Sequence, residues 1–290
     1  MVKDAGEAAA VSDDGDDLLD GEGRPRSSAS RDLPRPNRGR PAPNVAKVAT
    51  PVAYFIRRAV LPGNHSHYGV TMGAFDGVLF DFGHTLFDAI APEACIAQFR
   101  DASGIDVDPV VFVSEREMIT QRARQPDELA KGRDLSTDAH QRCWLELLAP
   151  LDGLASGLAE FMYGCECSPK GWRPYPDTGT VLAELHRREI PVGVVSDCGW
   201  DIREVFAAYE FQELVGSFDL SYEHRACKPD RRLFESACAK LGVEPARTLM
   251  VGDNWLTDGG AAGTGITALI LPARDRTAFP ALASVFELTR

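Results

Sequence analysis

The feature that most constrains this chain is a recurrence of short apolar runs that stop abruptly on a polar or acidic residue. "GVLFD" closes on Asp81, "PVGVVSD" on Ser196 and Asp197, and "TLMVGD" on Asp253, while "TALILP" (Thr267 to Pro272) has the same texture without the acid. Runs of this length, apolar on both faces, suit strands covered on both sides of a sheet. Between them lie amphipathic helices. In Asp201 to Tyr209, the residues Ile202, Val205, Phe206 and Tyr209 share one face. In Arg231 to Leu241, Leu233, Phe234, Ala237, Cys238 and Leu241 do the same, with Asp230 placed to cap the start and Gly242 to end it. Strands alternating with such helices predict an α/β fold built on a parallel sheet.

Two segments break this alternation. Residues 91–175 carry helical patterns only, such as "STDAHQRCWLELLAP" with Ser136 or Thr137 as cap, so a helical insertion is expected above the carboxyl ends of the strands. Residues 1–71 are dominated by Ala, Gly, Ser and Pro, with an acidic block (Asp13, Asp14, Asp16, Asp17, Asp20) ahead of "RDLPRPNRGRPAP". Such a segment buries too little apolar surface to offset its ordering entropy, and it is expected to be a disordered, dispensable tail. Met72 is then a plausible natural start. The expected organisation is a tail over 1–71, an α/β core from 72–90 and 176–290, and a helical cap over 91–175.

Composition excludes some function classes. The net charge of −12 comes with no basic stripe able to neutralise a run of phosphates, so nucleic acid is not expected as a partner. No apolar run reaches the roughly 18 residues that span a bilayer, and the acidic N-terminal residues do not suit an export signal. The seven cysteines are odd in number and lack paired metal-finger spacing; Cys165 and Cys167 are the only close pair. The expected setting is a reducing cytoplasm. The sequence leaves the oligomeric state open.

In an open parallel sheet the ligand crevice lies outside the carboxyl ends of the strands, so the groups that end these runs should converge. They are Asp81, Ser196 and Asp253, with Asp258 five residues further on and Lys228 in "ACKPD". Taken singly, Asp81 could merely end a strand, Ser196 cap a helix and Lys228 sit in solvent. Together they have a chemical meaning. Clustered carboxylates repel one another unless a cation shares them, and Mg²⁺ suits hard oxygen ligands. A hydroxyl and an ammonium suit phosphate oxygens, leaving one carboxylate to attack phosphorus and form an acyl phosphate.

The order "DFGHTL", "VVSD", "KPD" and "GDNWLTD" resembles the four motifs of the haloacid dehalogenase-like hydrolase superfamily, over Phe75 to about Pro272. The resemblance implies a Rossmann-like core with a mobile helical cap and a small phosphorylated substrate. It implies Asp81 as nucleophile and metal ligand, with Thr85 and Ser196 on phosphate oxygens. Lys228 would neutralise nucleophile and phosphate; Asp253 would bind Mg²⁺, Asp258 would support the metal shell, and the Gly83 carbonyl would be a further ligand. Lys170 and Arg173, in the loop that rejoins the core, are offered as specificity residues.

One departure stands out: the family's phosphatases carry their general acid and base where this chain has Gly83. General acid–base assistance is worth roughly 10² to 10⁴ in rate, so the loss weighs on alkyl phosphates and little on good leaving groups. Two other readings remain open. One is a metal-independent 2-haloacid dehalogenase, against which Asp253 argues because such enzymes put a small uncharged residue there. The other is a non-catalytic protein that binds phosphate or a partner. His84, next to the glycine, is a candidate proton donor.

Overall fold

The computed structural model describes residues 54–56, 73–271 and 281–290, all of them in a unit spanning Ala49–Arg290. Eight strands run β1 (Tyr54–Ile56), β2 (Gly77–Phe80), β3 (Phe87–Ala89), β4 (Trp172–Pro174), β5 (Val192–Ser196), β6 (Ser217–Leu220), β7 (Thr248–Gly252) and β8 (Thr267–Ile270). The main sheet has the order β1-β8-β7-β2-β5-β6, parallel from β8 to β6. This is the α/β, Rossmann-like sheet expected from the sequence.

Every residue of β2, β5, β7 and β8 is buried, which is why they read as unbroken apolar runs. Their side chains alternate between two cores. Val78, Phe80, Val194 and Val251 pack with Val181, Leu182 and Leu185 of the helix Thr178–Arg187. Leu79, Val195 and Met250 point the other way, against Leu233, Phe234 and Ala237 of the helix Arg231–Leu241. That helix starts where the sequence marks it, with the Asp230 side chain accepting from Arg232 N at 3.0 Å, and ends at Gly242 in the left-handed region, φ 68°.

The sheet holds two strands that the sequence hides. β6 is buried throughout but includes Asp219, whose Oδ1 accepts from His224 Nε2 and Lys240 Nζ, both at 2.9 Å. β1 lies within the stretch expected to supply nothing to the fold, and it pairs antiparallel with β8, Phe55 opposite Leu269. The expectation for residues 1–71 therefore fails at Tyr54–Ile56; the rest of that stretch lies outside the described residues. Three β-prone residues are too few to announce a strand, and their partner is more than 200 residues away.

The helical insertion comprises Pro92–Ser103, Pro109–Ala123, Thr137–Leu148 and Leu158–Glu166, with shorter turns between. It has its own apolar cluster, including Phe99, Phe112, Leu147, Leu151, Leu158 and Met162. Asp108 caps the second helix through Val110 N at 2.8 Å, and Ser136 caps the third through Ala139 N at 3.2 Å. The segment is not helical throughout: β4 pairs antiparallel with β3, Ala89 opposite Trp172, so the two chain crossings between core and insertion form one ribbon.

The insertion meets the core at the carboxyl ends of β5 and β6. Ser221 Oγ donates to Asp134 O at 2.6 Å and accepts from Cys198 N at 2.9 Å. Beside it, His140 lies on Gly199 so closely that a Cβ there would collide with the imidazole. All seven cysteines are free thiols, and among the described residues no helix is long and apolar enough to cross a membrane.

Candidate active site

Register brings the site together. Phe80, the last residue of β2, pairs with Val194 of β5 and Val251 of β7. Asp81, Ser196 and Asp253 therefore leave the sheet at the same edge within two residues of one another. One carboxylate oxygen from each of Asp81, Asp253 and Asp258 lies within 4.8 Å of the others. Lys228 Nζ sits between two of them, 2.6 Å from Asp81 Oδ1 and 2.7 Å from Asp258 Oδ1.

The loops are shaped to permit this. Asp258 opens a 3₁₀ helix and turns its Oδ2 back to accept from Asn254 N at 3.0 Å. A Cβ on Gly252 would collide with that carboxylate, so the glycine at the end of β7 is what lets Asp258 close on the site. Lys228 precedes Pro229 through a cis peptide bond, and its backbone N donates to Asp197 Oδ1 at 2.8 Å. Asp197 thus fixes the lysine's backbone while Asp81 and Asp258 fix its ammonium.

Burial sets the electrostatics. Removal from water pushes the Asp81 carboxyl up to about 7, Asp258 and Asp253 push it the same way, and Lys228 opposes. For Lys228, burial alone would favour the neutral amine, but Asp258, Asp81 and Asp197 outweigh it and hold the ammonium charged. Burial also raises Asp197, to about 6, against the pull of Lys228. Three carboxylates around one ammonium leave an excess of negative charge in a buried site. That donor set, all hard oxygens, fits a divalent cation such as Mg²⁺.

The other expected residues fall as follows. Thr85 is fully buried in the loop after Asp81, and Ser196 ends β5 with almost no exposure. Gly83 is partly buried and lies outside the left-handed region; a Cβ there would meet only Trp172, at 3.8 Å. His84 takes positive φ (57°) and places Nδ1 3.2 Å from Asp88 Oδ1. That hydrogen bond raises the imidazole's pKa, with burial opposing and Asp253 adding to the rise. Lys170 and Arg173, the expected specificity residues, are both exposed.

Sequence reasoning missed the groups that reach the site from the insertion and its ribbon: Asp134, Glu166 and Trp172. Asp134 is raised by burial with Arg133 opposing, and Glu166 is raised by burial with Arg116 and His84 opposing. Nothing local marks them as site residues: Ser221, which bonds the Asp134 carbonyl, lies 87 residues further on, and Gly83 and His84, which Trp172 and Glu166 meet, lie more than 80 residues earlier in the chain.

A parallel sheet that gathers three acids and a lysine at its strand ends, under a helical insertion that follows the first of those strands, defines a class of α/β hydrolase. The chain belongs to the haloacid dehalogenase-like hydrolases: that family matches residues 75–263, well over half of its length. It is 31% identical over 106 residues to a glyceraldehyde 3-phosphate phosphatase of Methanothermobacter thermautotrophicus, covering 34% of this chain and 45% of that protein. It is 26% identical over 137 residues to haloacid dehalogenase-like hydrolase domain-containing protein 3 of Danio rerio, covering 47% of this chain and 55% of that one. The chain thus matches about half the length of these relatives. Among solved structures, a dehalogenase with an intermediate complex superposes with a TM-score of 0.51 at 18% identity, over 74% of this chain and 97% of the other, a likeness of fold.

Proposed function

We propose that the chain is a Mg²⁺-dependent phosphatase acting on a small phosphorylated metabolite through an aspartyl-phosphate intermediate. The observation that carries this reading is the meeting of Asp81, Asp253 and Asp258 within 4.8 Å around one lysine. Asp253 argues against a metal-independent dehalogenase, which has no cation to hold and no use for a third acid. Similarity to a protein named glyceraldehyde 3-phosphate phosphatase supports phosphate chemistry.

Asp81, Asp253, Asp258 and the Gly83 carbonyl would hold the ion. Bound there, Mg²⁺ would offset the carboxylate charge and supply positive charge for phosphate oxygens. Asp81 attacks phosphorus with a carboxylate oxygen; the ester P–O bond breaks and its electrons leave with the organic oxygen. Thr85 and Ser196 hold phosphoryl oxygens, and Lys228 offsets charge as it moves from Asp81 onto phosphate. Water then attacks phosphorus, and Asp81 is regenerated as inorganic phosphate leaves. The insertion acts as the cap that keeps bulk water out, latched to the core through Ser221 and Asp134. The setting is the cytoplasm.

A panel of phosphomonoesters and 2-haloacids, with and without EDTA, tests the reading. Phosphate release that EDTA abolishes is expected, and halide release indifferent to EDTA would overturn it. Asp81→Asn should lower kcat by about 10³ or more, since an amide is a poor nucleophile. Its melting temperature should stay within a few degrees, because Lys228 keeps Asp258. Substantial turnover by the folded variant would remove Asp81 as nucleophile.

A further inference from the structure

Two contacts from the insertion fall on one loop of the core, and the register of the sheet decides which loop. Ser196 at the end of β5 lies opposite Leu220 at the end of β6, so the residues that follow them, Asp197 and Cys198 on one side and Ser221 on the other, leave the sheet side by side. Ser221 opens the short helix Ser221–His224 and is fully buried. Its Oγ accepts from Cys198 N at 2.9 Å and has two carbonyls within reach, Asp134 O of the insertion at 2.6 Å and Cys198 O of the core at 3.0 Å. Next to Cys198, Gly199 carries the imidazole of His140, also from the insertion, so closely that a Cβ would not fit.

A serine hydroxyl has one hydrogen, and it rotates to suit its surroundings. It therefore serves one of the two carbonyls at a time. The shorter contact assigns it to Asp134 O while insertion and core are together. A buried donor left without an acceptor destabilises the state that contains it, which would otherwise oppose any lifting of the insertion. Here Cys198 O takes the hydrogen instead. The same loop also runs through the site: Ser196 is two residues before Cys198, and Asp197 holds the backbone N of Lys228 at 2.8 Å.

We infer that Ser221 is a positioning residue that gates the cap: its hydrogen passes from Asp134 O to Cys198 O as the cap lifts and returns as it closes, and the exchange ties the cap's position to the loop that aims Ser196 and Lys228 at phosphate. The inference rests on the phosphatase reading for the role of that loop; the latch itself is a property of the fold. A ligand held by Ser196 and Lys228 then favours the closed cap, and a closed cap favours the ligand by the same factor.

The test is amide hydrogen exchange on the full chain, alone and with Mg²⁺ and beryllium fluoride, a mimic of the phosphoryl group. Residues 135–140 report the cap, residues 197–200 the loop, and β2 and β7 the core. In Ser221→Ala without ligand, residues 135–140 should exchange about tenfold faster than in wild type while β2 and β7 stay as they were. With the mimic, wild type should slow about tenfold at 135–140 and at 197–200 together, whereas in Ser221→Ala the loop should slow and the cap should not. Should the alanine variant not fold, Ser221→Cys, whose thiol is a weak donor, gives the same comparison with smaller changes. Exchange at 135–140 that the substitution leaves alone, or raises equally in β2 and β7, would reduce Ser221 to a packing role and overturn the gate. A variant whose cap slows with the mimic as much as that of wild type would overturn it too. A wild type that the mimic slows nowhere, with no phosphate released from any phosphomonoester, would instead overturn the phosphatase reading, and the two unliganded proteins would still decide the latch.

Discussion

At the scale of single residues, Gly83 and its surroundings decide what the site can do. Its backbone is outside the left-handed region, and a Cβ would meet Trp172 at an ordinary van der Waals distance, so a side chain there carries no intrinsic strain. Gly83→Asp should therefore fold, and its carboxyl would stand beside the departing oxygen. Alkyl phosphate turnover should rise relative to aryl phosphate turnover by about 10 to 100-fold, since protonation helps only a poor leaving group. The ratio of the two rates in wild type and variant reads this directly and cancels any general loss of folding. An unchanged ratio would mean that another group, with His84 the nearest, already supplies the proton. The candidate residues themselves were legible because each ends an apolar run or follows one closely: Asp81, Ser196 and Asp253 close β2, β5 and β7. Asp197 was visible in the same way, yet its task, holding the backbone of Lys228, could not be read from two residues 31 positions apart.

At the scale of elements, legibility followed continuity. The strands β2, β5, β7 and β8 are unbroken apolar runs, and the helix Arg231–Leu241 carries both of its end signals. β6 is interrupted by Asp219, whose burial makes sense only beside His224 and Lys240. The β3–β4 ribbon joins two three-residue segments more than 80 residues apart, and no local pattern encodes that pairing. The contact between insertion and core was equally hidden, and it makes a pH-dependent prediction. His140 is buried on Gly199, with Nδ1 3.1 Å from Tyr163 OH, and burial, helped by Arg133, lowers its pKa from the usual 6.5 to about 4. An imidazole with a depressed folded-state pKa contributes its stability above the unfolded value and loses it as pH falls from about 6.5 towards 4. At 1.36 kcal/mol per unit, that is about 3 kcal/mol. Urea unfolding at pH 7.5 and pH 4.5 should show wild type losing about 2 to 3 kcal/mol more than His140→Gln over that interval. Parallel losses in the two proteins would place the imidazole in water rather than in the interface.

At the scale of the whole molecule, the class of fold was readable from alternation alone, while the order of strands was not. Alternation of strand and helix implies a parallel sheet, but β1 joins it antiparallel and at the edge, through three residues inside a stretch whose composition argues against any structure. What composition averages over, a sheet edge can use: β8 is buried along its length, and without β1 its outer row of backbone groups would lie open. The consequence is a pair of truncations with different outcomes. A chain beginning at Ala49 keeps the whole of the unit that contains the sheet and should melt within about 2 °C of the full-length protein. A chain beginning at Met72 loses β1. At roughly 1 kcal/mol for each ladder hydrogen bond, it should lose about 1 to 3 kcal/mol, or several degrees in melting temperature for a domain of this size. It should also self-associate through the exposed edge of β8, which light scattering at rising concentration would detect. Equal melting and equal monodispersity of the two truncated chains would show that β1 adds nothing to the sheet, and that the first 71 residues are as dispensable as their composition implies.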